Sequence, residues 1–248
     1  MKTVISCVNG RMGRQVAEAC RQLDLPVRAG IDLKTESVYP FPVFSSFAEL
    51  SPCSEDVIID FSLPGSLDAL LDYCTANSVP CVLATTGYSE AALEKIRAAS
   101  LRIPIFRSAN MSLGVHVLKL LSSMAAGMLA DFDIEIVEKH HNQKVDAPSG
   151  TALMLYDAVR REDSHPVYDR HPLHQKRDKR EIGIASVRGG TVPGVHEVGF
   201  YGPSEVITLT HSVQDRAVFA SGAVKAAQWL DGKRDAPGLY DMDDMLHL

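Results

Sequence analysis

Two adjacent histidines, a lysine and a Ser-Gly-Thr turn fall within one stretch, Glu138-Lys139-His140-His141-Asn142-Gln143-Lys144-Val145-Asp146-Ala147-Pro148-Ser149-Gly150-Thr151. His140 and His141 carry imidazoles that give or take a proton near neutral pH. Lys144 adds a point charge. If a helix starts at Ser149, Gly150 and Thr151, its unpaired N–H groups and positive dipole end would receive an anion beside that lysine. The combination points to acid–base chemistry on a small anionic ligand. Taken singly, each histidine reads more readily as a hydrogen-bonded core residue, and Pro148 to Thr151 reads equally as a plain helix start. A histidine pair can also bind zinc, but no cysteine, third histidine or carboxylate stands at zinc-like spacing around it, so no metal is expected.

The flanking segments supply the positioning. Residues 133–138 alternate and are rich in β-branched side chains, which predicts a strand; residues 151–159 predict a helix capped by Ser149 or Thr151. The chemistry-bearing stretch is then a loop from a strand end to a helix start.

A second informative stretch opens the chain. The apolar run Thr3-Val4-Ile5-Ser6-Cys7-Val8 leads into Asn9-Gly10-Arg11-Met12-Gly13 and then a helical composition from Arg14 to Cys20. Strand, glycine turn and helix are the context of a dinucleotide-binding fingerprint: backbone approaches the pyrophosphate at Gly10, and helix packs on strand at Gly13. Asp32 ends a second apolar run, Val27–Ile31, about 20 residues on, where an acid binds ribose hydroxyls. The usual first glycine is absent because Cys7 stands there. By itself this motif is equally that of an ordinary glycine turn.

The first half continues as apolar strands (57–61, 80–84, 103–106) alternating with helices (64–77, and 89–99 capped by Ser89). Continuous rather than alternating apolar strands predict a parallel sheet covered on both faces, with ligands beyond the carboxyl ends of its strands. After Met111 the pattern changes. A long apolar helix over 113–130 precedes strands at 181–188, 195–201 and 205–213 with turn-rich links, which predicts a second α+β domain with an open mixed sheet. Residues 161–180, polar and containing Pro166 and Pro172, are expected to be a solvated loop. A last helix spans 217–230, and the tail from Gly238 shows apolar residues at helical spacing.

Composition narrows the class. At 248 residues the chain can bury a substantial core, and a net charge of −6 argues against a general nucleic-acid or anionic-membrane surface. The five cysteines are odd in number and lack CxxC spacing, which suggests reduced thiols in a cytoplasmic protein. Cys7 and Cys81 are expected in strands as packing residues. No signal peptide is expected, and the helix at 113–130 carries His116 and Lys119, so a packed helix rather than a membrane span is expected.

The run from Glu135 to Ala152, reading EIVEKHHNQKVDAPSGTA, resembles that of the dihydrodipicolinate reductases, the 4-hydroxy-tetrahydrodipicolinate reductases of the diaminopimelate and lysine pathway. Gly10-Arg11-Met12-Gly13-Arg14, Thr85-Thr86-Gly87, Ala109-Asn110-Met111-Ser112-Leu113-Gly114, and Gly222-Ala223-Val224 through Trp229-Leu230 follow in that family's order. The resemblance implies a Rossmann-type dinucleotide-binding domain (1–111 and 214–248) and a substrate-binding and oligomerisation domain (112–213) that builds a homotetramer. It also implies NADH- or NADPH-dependent hydride transfer to a dicarboxylate substrate, giving tetrahydrodipicolinate. His140 would be the catalytic acid/base and Lys144 a proton donor or substrate-orienting cation. His141, Ser149, Gly150 and Thr151 would meet the substrate carboxylates. Cys7, Val8, Asn9, Gly10, Arg11, Met12, Asp32, Lys34, Ala84, Thr85, Thr86, Ser108, Ala109, Asn110 and Met111 would line the nucleotide. Two alternatives share the first domain without needing the His-His-Lys-Ser-Gly-Thr chemistry: another two-domain NAD(P)-dependent dehydrogenase and a non-catalytic dinucleotide-sensing module.

Cofactor choice follows from charge. Asp32 accepts hydrogen bonds from a free 2′-hydroxyl and repels a 2′-phosphate, whereas Lys34 offsets that repulsion. Both cofactors are therefore expected to work, with NADPH disfavoured in Lys34→Ala and favoured in Asp32→Ser. Comparing kcat/KM for the two cofactors checks this, and an unchanged ratio in both variants would place the ribose reader elsewhere.

Overall fold

The computed structural model describes the whole chain except Ser37, Asp169, His171, Pro172, Leu173, His247 and Leu248. The chain separates into two compact units: residues 1–112 with 216–248, and residues 113–215.

The first unit runs β1 (Lys2–Ser6), α1 (Arg11–Gln22), β2 (Val27–Ile31), β3 (Val43–Phe44), β4 (Asp56–Asp60), α2 (Leu67–Asn77), β5 (Cys81–Leu83), α3 (Glu90–Ser100) and β6 (Pro104–Arg107). The second unit holds α4 (Leu113–Met128), β7 (Asp133–His140), α5 (Gly150–Val159), β8 (His165–Val167), β9 (Glu181–Arg188), β10 (Val195–Tyr201) and β11 (Val206–Ser212). The chain then returns to the first unit with α6 (Ala217–Asp231), β12 (Gly238–Tyr240) and α7 (Met242–Leu246).

The first sheet has the order β12-β6-β5-β4-β1-β2-β3, and every pairing is parallel. Its central strands are buried on both faces, as their unbroken apolar runs require: Val57, Ile58 and Ile59 in β4 have no exposure. This is the doubly wound, Rossmann-type arrangement. Glycine contacts set its tightest approach. A Cβ on Gly13 would lie 2.1 Å from the Cys7 carbonyl oxygen and 2.7 Å from Val8 Cα, so α1 rests directly on the turn after β1.

The second sheet is mixed, in the order β11-β10-β7-β9-β8. β7 pairs antiparallel with β10 and parallel with β9. Alternation sends Ile134 and Ile136 of β7 into a core with Ile182 and Ile184 of β9, Val198 and Phe200 of β10, and Leu155 and Val159 of α5. Glu138 and His140 follow at the same two-residue period, so the strand directs them onto this covered face as well.

Three expectations need correction. Cys7 is not in a strand: it follows β1 in a turn with φ of 59°, the left-handed region that a glycine normally occupies. The stretch 161–180 is not simply a solvated loop. It contributes β8, and its Arg177 donates to the carboxylates of Asp133 and Glu135 and to the carbonyls of Ile134 and Glu181. Pro172 lies outside the described residues. The tail opens as a strand paired with β6 and only then makes the short α7, because a free sheet edge outweighs weak helical spacing.

Gly222 shows how closely α6 packs near the β6 end of the sheet: an added Cβ would sit 1.7 Å from the Met111 carbonyl oxygen. Backbone cannot yield as a flexible side chain can. Gly222→Ala should therefore cost about 3 kcal/mol and lower the melting temperature by roughly 5–10 °C. An unchanged melting temperature would show that α6 does not need this approach.

Candidate active site

Glu138 is completely buried, and the other groups of the second unit's site are arranged around it. Its carboxylate bonds Nδ1 of His140 at 2.5 Å and accepts both terminal nitrogens of Arg188, at 2.8 and 2.7 Å. It also accepts the backbone N–H of Ser149 at 3.2 Å. Burial opposes its ionisation, but the hydrogen bonds from Arg188 and His140 prevail and hold its pKa at about 2. It is a permanent anion at neutral pH.

Sheet register explains this convergence. Arg188 stands opposite His140 in the parallel β7/β9 pair, and His196 stands opposite Glu138 in the antiparallel β10/β7 pair. The His140 and His196 rings meet edge to face at 5.1 Å between centroids. Nε2 of His140 makes no hydrogen bond among the described residues, and Gly194 leaves it room: a Cβ there would lie 3.2 Å from that nitrogen. Burial lowers the His140 pKa, and the Glu138 carboxylate opposes that shift in part.

The loop after β7 carries the remaining expected groups. His141 stands just past the strand and is half-buried. Lys144 reaches both oxygens of Asp146, at 2.7 and 2.9 Å, so the lysine is paired with a local acid. Ser149 caps α5: its hydroxyl accepts the Ala152 N–H at 3.2 Å and bonds Nε2 of His196 at 3.0 Å. With its own N–H on Glu138, Ser149 faces inward, and the outward-facing positions at this helix start are Gly150, which is exposed, and Thr151, which is half-buried. The helix start expected from the sequence is present, with Ser149 as its cap. Among the described residues no group of three or more His, Cys, Asp or Glu could hold a metal ion, and no helix is long and apolar enough to cross a membrane.

The expected dinucleotide residues of the first unit gather at the carboxyl ends of its strands. α1 begins at Arg11 with Gly10 as its cap, with no side-chain capping bond and no acid in its first turn. Its positive end therefore suits a pyrophosphate. Cys7 turns its sulfur over Gly10, where a Cβ would come within 2.7 Å. Burial, with Asp32 and Asp60 nearby, pushes this thiol up and keeps it protonated. Asp32 accepts the backbone N–H of Asn9 at 2.9 Å and of Lys34 at 3.1 Å, which fixes the carboxylate and leaves lone pairs for ribose hydroxyls. The Asn9 amide ties the loop back to the Lys34 carbonyl at 2.6 Å.

A cavity of about 430 Å³ beside this turn is lined by Ser6, Cys7, Asp32, Ser46, Ser62 and Ser66, among others. These residues fit a dinucleotide. Arg11, Lys34, Thr86 and Ala109 are exposed, Met12 and Asn110 half-buried, and Ala84 and Ser108 buried. Val8 and Met111 bury their side chains, so only their backbones remain to meet a ligand. Thr85 is buried as well and donates to Asp60 at 2.8 Å. Sequence reasoning missed Arg188, His196 and Gly194. Their only signal is the strand register that carries them to the histidine.

Burial of His196 lowers its pKa to about 4, with the neighbouring His140 contributing. The unfolded chain binds a proton below about 6.5 that the folded chain takes up only near 4. The stability this gives is complete above pH 6.5 and is lost as pH falls toward 4, by up to about 3 kcal/mol. His140, shifted in the same direction, shares the upper part of this window. His196→Asn should flatten the decline in urea midpoint between pH 7.5 and 4.5; the same slope as wild type would remove His196 from that role.

Comparison with known proteins agrees along the length of the chain. The family model for the amino-terminal part of dihydrodipicolinate reductase matches residues 1–111, and that for its carboxy-terminal part matches residues 114–246. A 4-hydroxy-tetrahydrodipicolinate reductase of Caldanaerobacter subterraneus subsp. tengcongensis is 48% identical, covering 99% of this chain and 98% of its own. That of Clostridium tetani is 45% identical, covering 98% and 96%. Among solved structures, a dipicolinate-bound dihydrodipicolinate reductase from Paenisporosarcina sp. TG-14 superposes with a TM-score of 0.79 at 23% identity, covering 99% of both chains. A buried acid–histidine–arginine cluster beside a helix start, a Rossmann-type turn with its acid, and family matches to both parts of the chain lead to one conclusion: this chain belongs to the dihydrodipicolinate reductase family.

Proposed function

We propose that this chain is a 4-hydroxy-tetrahydrodipicolinate reductase, using NADH or NADPH to give tetrahydrodipicolinate for diaminopimelate and lysine biosynthesis. The carrying observation is His140, the last residue of β7, held by Glu138 with Nε2 open and followed directly by the loop that carries Lys144 and leads to the start of α5. In the net reaction a hydride and a proton enter, and the substrate hydroxyl leaves as water. The nicotinamide supplies the hydride when bound.

The chain's own residues do the rest. The start of α5, at Gly150 and Thr151, receives one substrate carboxylate, and Lys144 with His141 receives the other. His140 is kept toward its neutral form in the free site. Arrival of two carboxylates raises its pKa, so that a proton is held at Nε2 when substrate is present. It is then delivered to the carbanion-like centre that the hydride leaves. A positioned acid of this kind contributes on the order of 10²–10⁴-fold. In the first unit, the α1 start, Asp32 and the serine-lined cavity bind and orient the dinucleotide.

We also propose a homotetramer in the cytoplasm. Support for assembly comes from Val187, Tyr201, Val206 and Ile207, large side chains left exposed on the second sheet. Sedimentation velocity measures that assembly. Support for the compartment comes from five free cysteines.

The roles of His140 and Lys144 separate kinetically. His140→Ala should lower kcat by roughly 10²-fold or more with little change in KM, as for an acid acting in the transition state. Lys144→Ala should lower kcat and raise KM, because a cation on a carboxylate serves bound substrate and transition state alike. Oxidation of NAD(P)H with freshly generated hydroxy-tetrahydrodipicolinate is the assay. No substrate-dependent oxidation in wild type would overturn the reading, and a larger kcat loss in His141→Ala would exchange the two imidazoles.

A further inference from the structure

We propose that Glu138 is the positioning residue of the reaction, fixing which ring nitrogen of His140 exchanges the proton, and that Arg188 joins this pair to the loop carrying Lys144. The inference rests on the reading of His140 as the proton-handling group.

The strand itself makes the case that packing is not the purpose. Ile134 and Ile136 fill the same face of β7 with apolar side chains, and the alternation then turns to Glu138 and His140 at the end next to the loop. A buried carboxylate is costly to desolvate, and an apolar residue would continue the core without that penalty. Instead the position holds an acid whose two oxygens take donors from several elements, among them His140 Nδ1, both Arg188 terminal nitrogens and the Ser149 N–H.

The consequence for the proton is definite. An ionised carboxylate only accepts, so Nδ1 of His140 must carry the hydrogen. The neutral ring then presents its lone pair at Nε2, the nitrogen beside Gly194 that no described side chain occupies. An acid bonded to the far nitrogen of the ring, setting the tautomer in this way, leaves the reactive nitrogen both defined and aimed.

Arg188 extends the arrangement. The nitrogen that donates to Glu138 also donates to the Asp146 carbonyl at 2.7 Å, and the Asp146 carboxylate holds Lys144. One guanidinium therefore spans the orienter of the histidine and the loop of the lysine. The charged and titratable groups facing His140 are Glu138 on its own strand, Arg188 from β9, His196 from β10 and Lys144 from the loop. Lys144 and Arg188 disfavour a protonated ring, and His196 is itself neutral at pH 7; Glu138 is the group that favours it.

The test combines side-chain ¹⁵N NMR of His140 with pH-dependent kinetics. In wild type the neutral ring should show hydrogen on Nδ1. Glu138→Gln should lower kcat about tenfold or more while KM for the dicarboxylate stays within about threefold. The basic limb of its kcat profile should move to lower pH by about one unit, because the group favouring the protonated ring is gone. Introduced into His140→Ala, the same change should alter kcat by less than about twofold, since the residue acts through the histidine. Arg188→Lys should give a smaller loss in the same direction. Hydrogen on Nε2 in the neutral wild-type ring would overturn the proposal even if the variants do not fold. An equal fold-loss from Glu138→Gln with and without His140 would also overturn it. The NMR measurement needs no turnover, so failure of the assigned reaction is told apart from failure of Glu138 as the positioning group.

Discussion

The ion pair between Glu138 and Arg188 is the interaction on which the second unit's site depends. A carboxylate with no solvent exposure is stable there because a bidentate guanidinium, an imidazole and a backbone N–H surround it. Each partner is delivered by a different element: β9 brings Arg188, β7 brings His140, and the start of α5 brings Ser149. Removing the carboxylate would leave three groups without their common acceptor, so local structure and chemistry are held by the same bonds. The Ser149–His196 contact closes the ring of elements by joining α5 to β10.

The first unit meets a different demand by contact distance rather than charge pairing. Gly13 lets α1 rest on the turn after β1, and the chain accepts a cysteine in a left-handed conformation at the position where relatives of the motif carry glycine. That conformation disfavours a side chain by roughly 1–2 kcal/mol, which the surrounding packing must offset. The Cys7 sulfur lies over Gly10, so the space released by one glycine is used by the side chain that replaced another.

Much of this was legible in the chain, and the exceptions have a common cause. Val27–Ile31, Glu181–Arg188 and Val195–Tyr201 match their strands because each is a largely apolar or β-branched segment closed by a charged or turn-forming stretch. β3, β8 and β12 are two or three residues long, one contains Pro166, and all three form by pairing with an edge that exists only after folding. The stretch from His140 to Thr151 could be read because its chemistry is contiguous. Arg188 and His196 stand far from it in sequence and look like ordinary polar members of their strands. Register alone, with Arg188 opposite His140 and His196 opposite Glu138, makes them part of the same cluster. Cys7 was misplaced because apolar composition continues past the strand end, where the backbone already turns.

The pairing of Lys144 with Asp146 has a consequence for selectivity. A site built to hold anions would ordinarily collect whichever small anion is abundant, phosphate or bicarbonate included. Here the lysine is provided with an internal counter-ion, so the resting loop carries little uncompensated charge to attract them. In the role proposed for Lys144, an incoming ligand would exchange that carboxylate for its own, and a single weak contact would gain almost nothing by the exchange. A molecule that reaches the helix start and the lysine together recovers the loss through its second attachment. On that proposed role the Asp146 carboxylate would be a tethered competitor, setting a threshold that favours ligands with two correctly spaced negative groups.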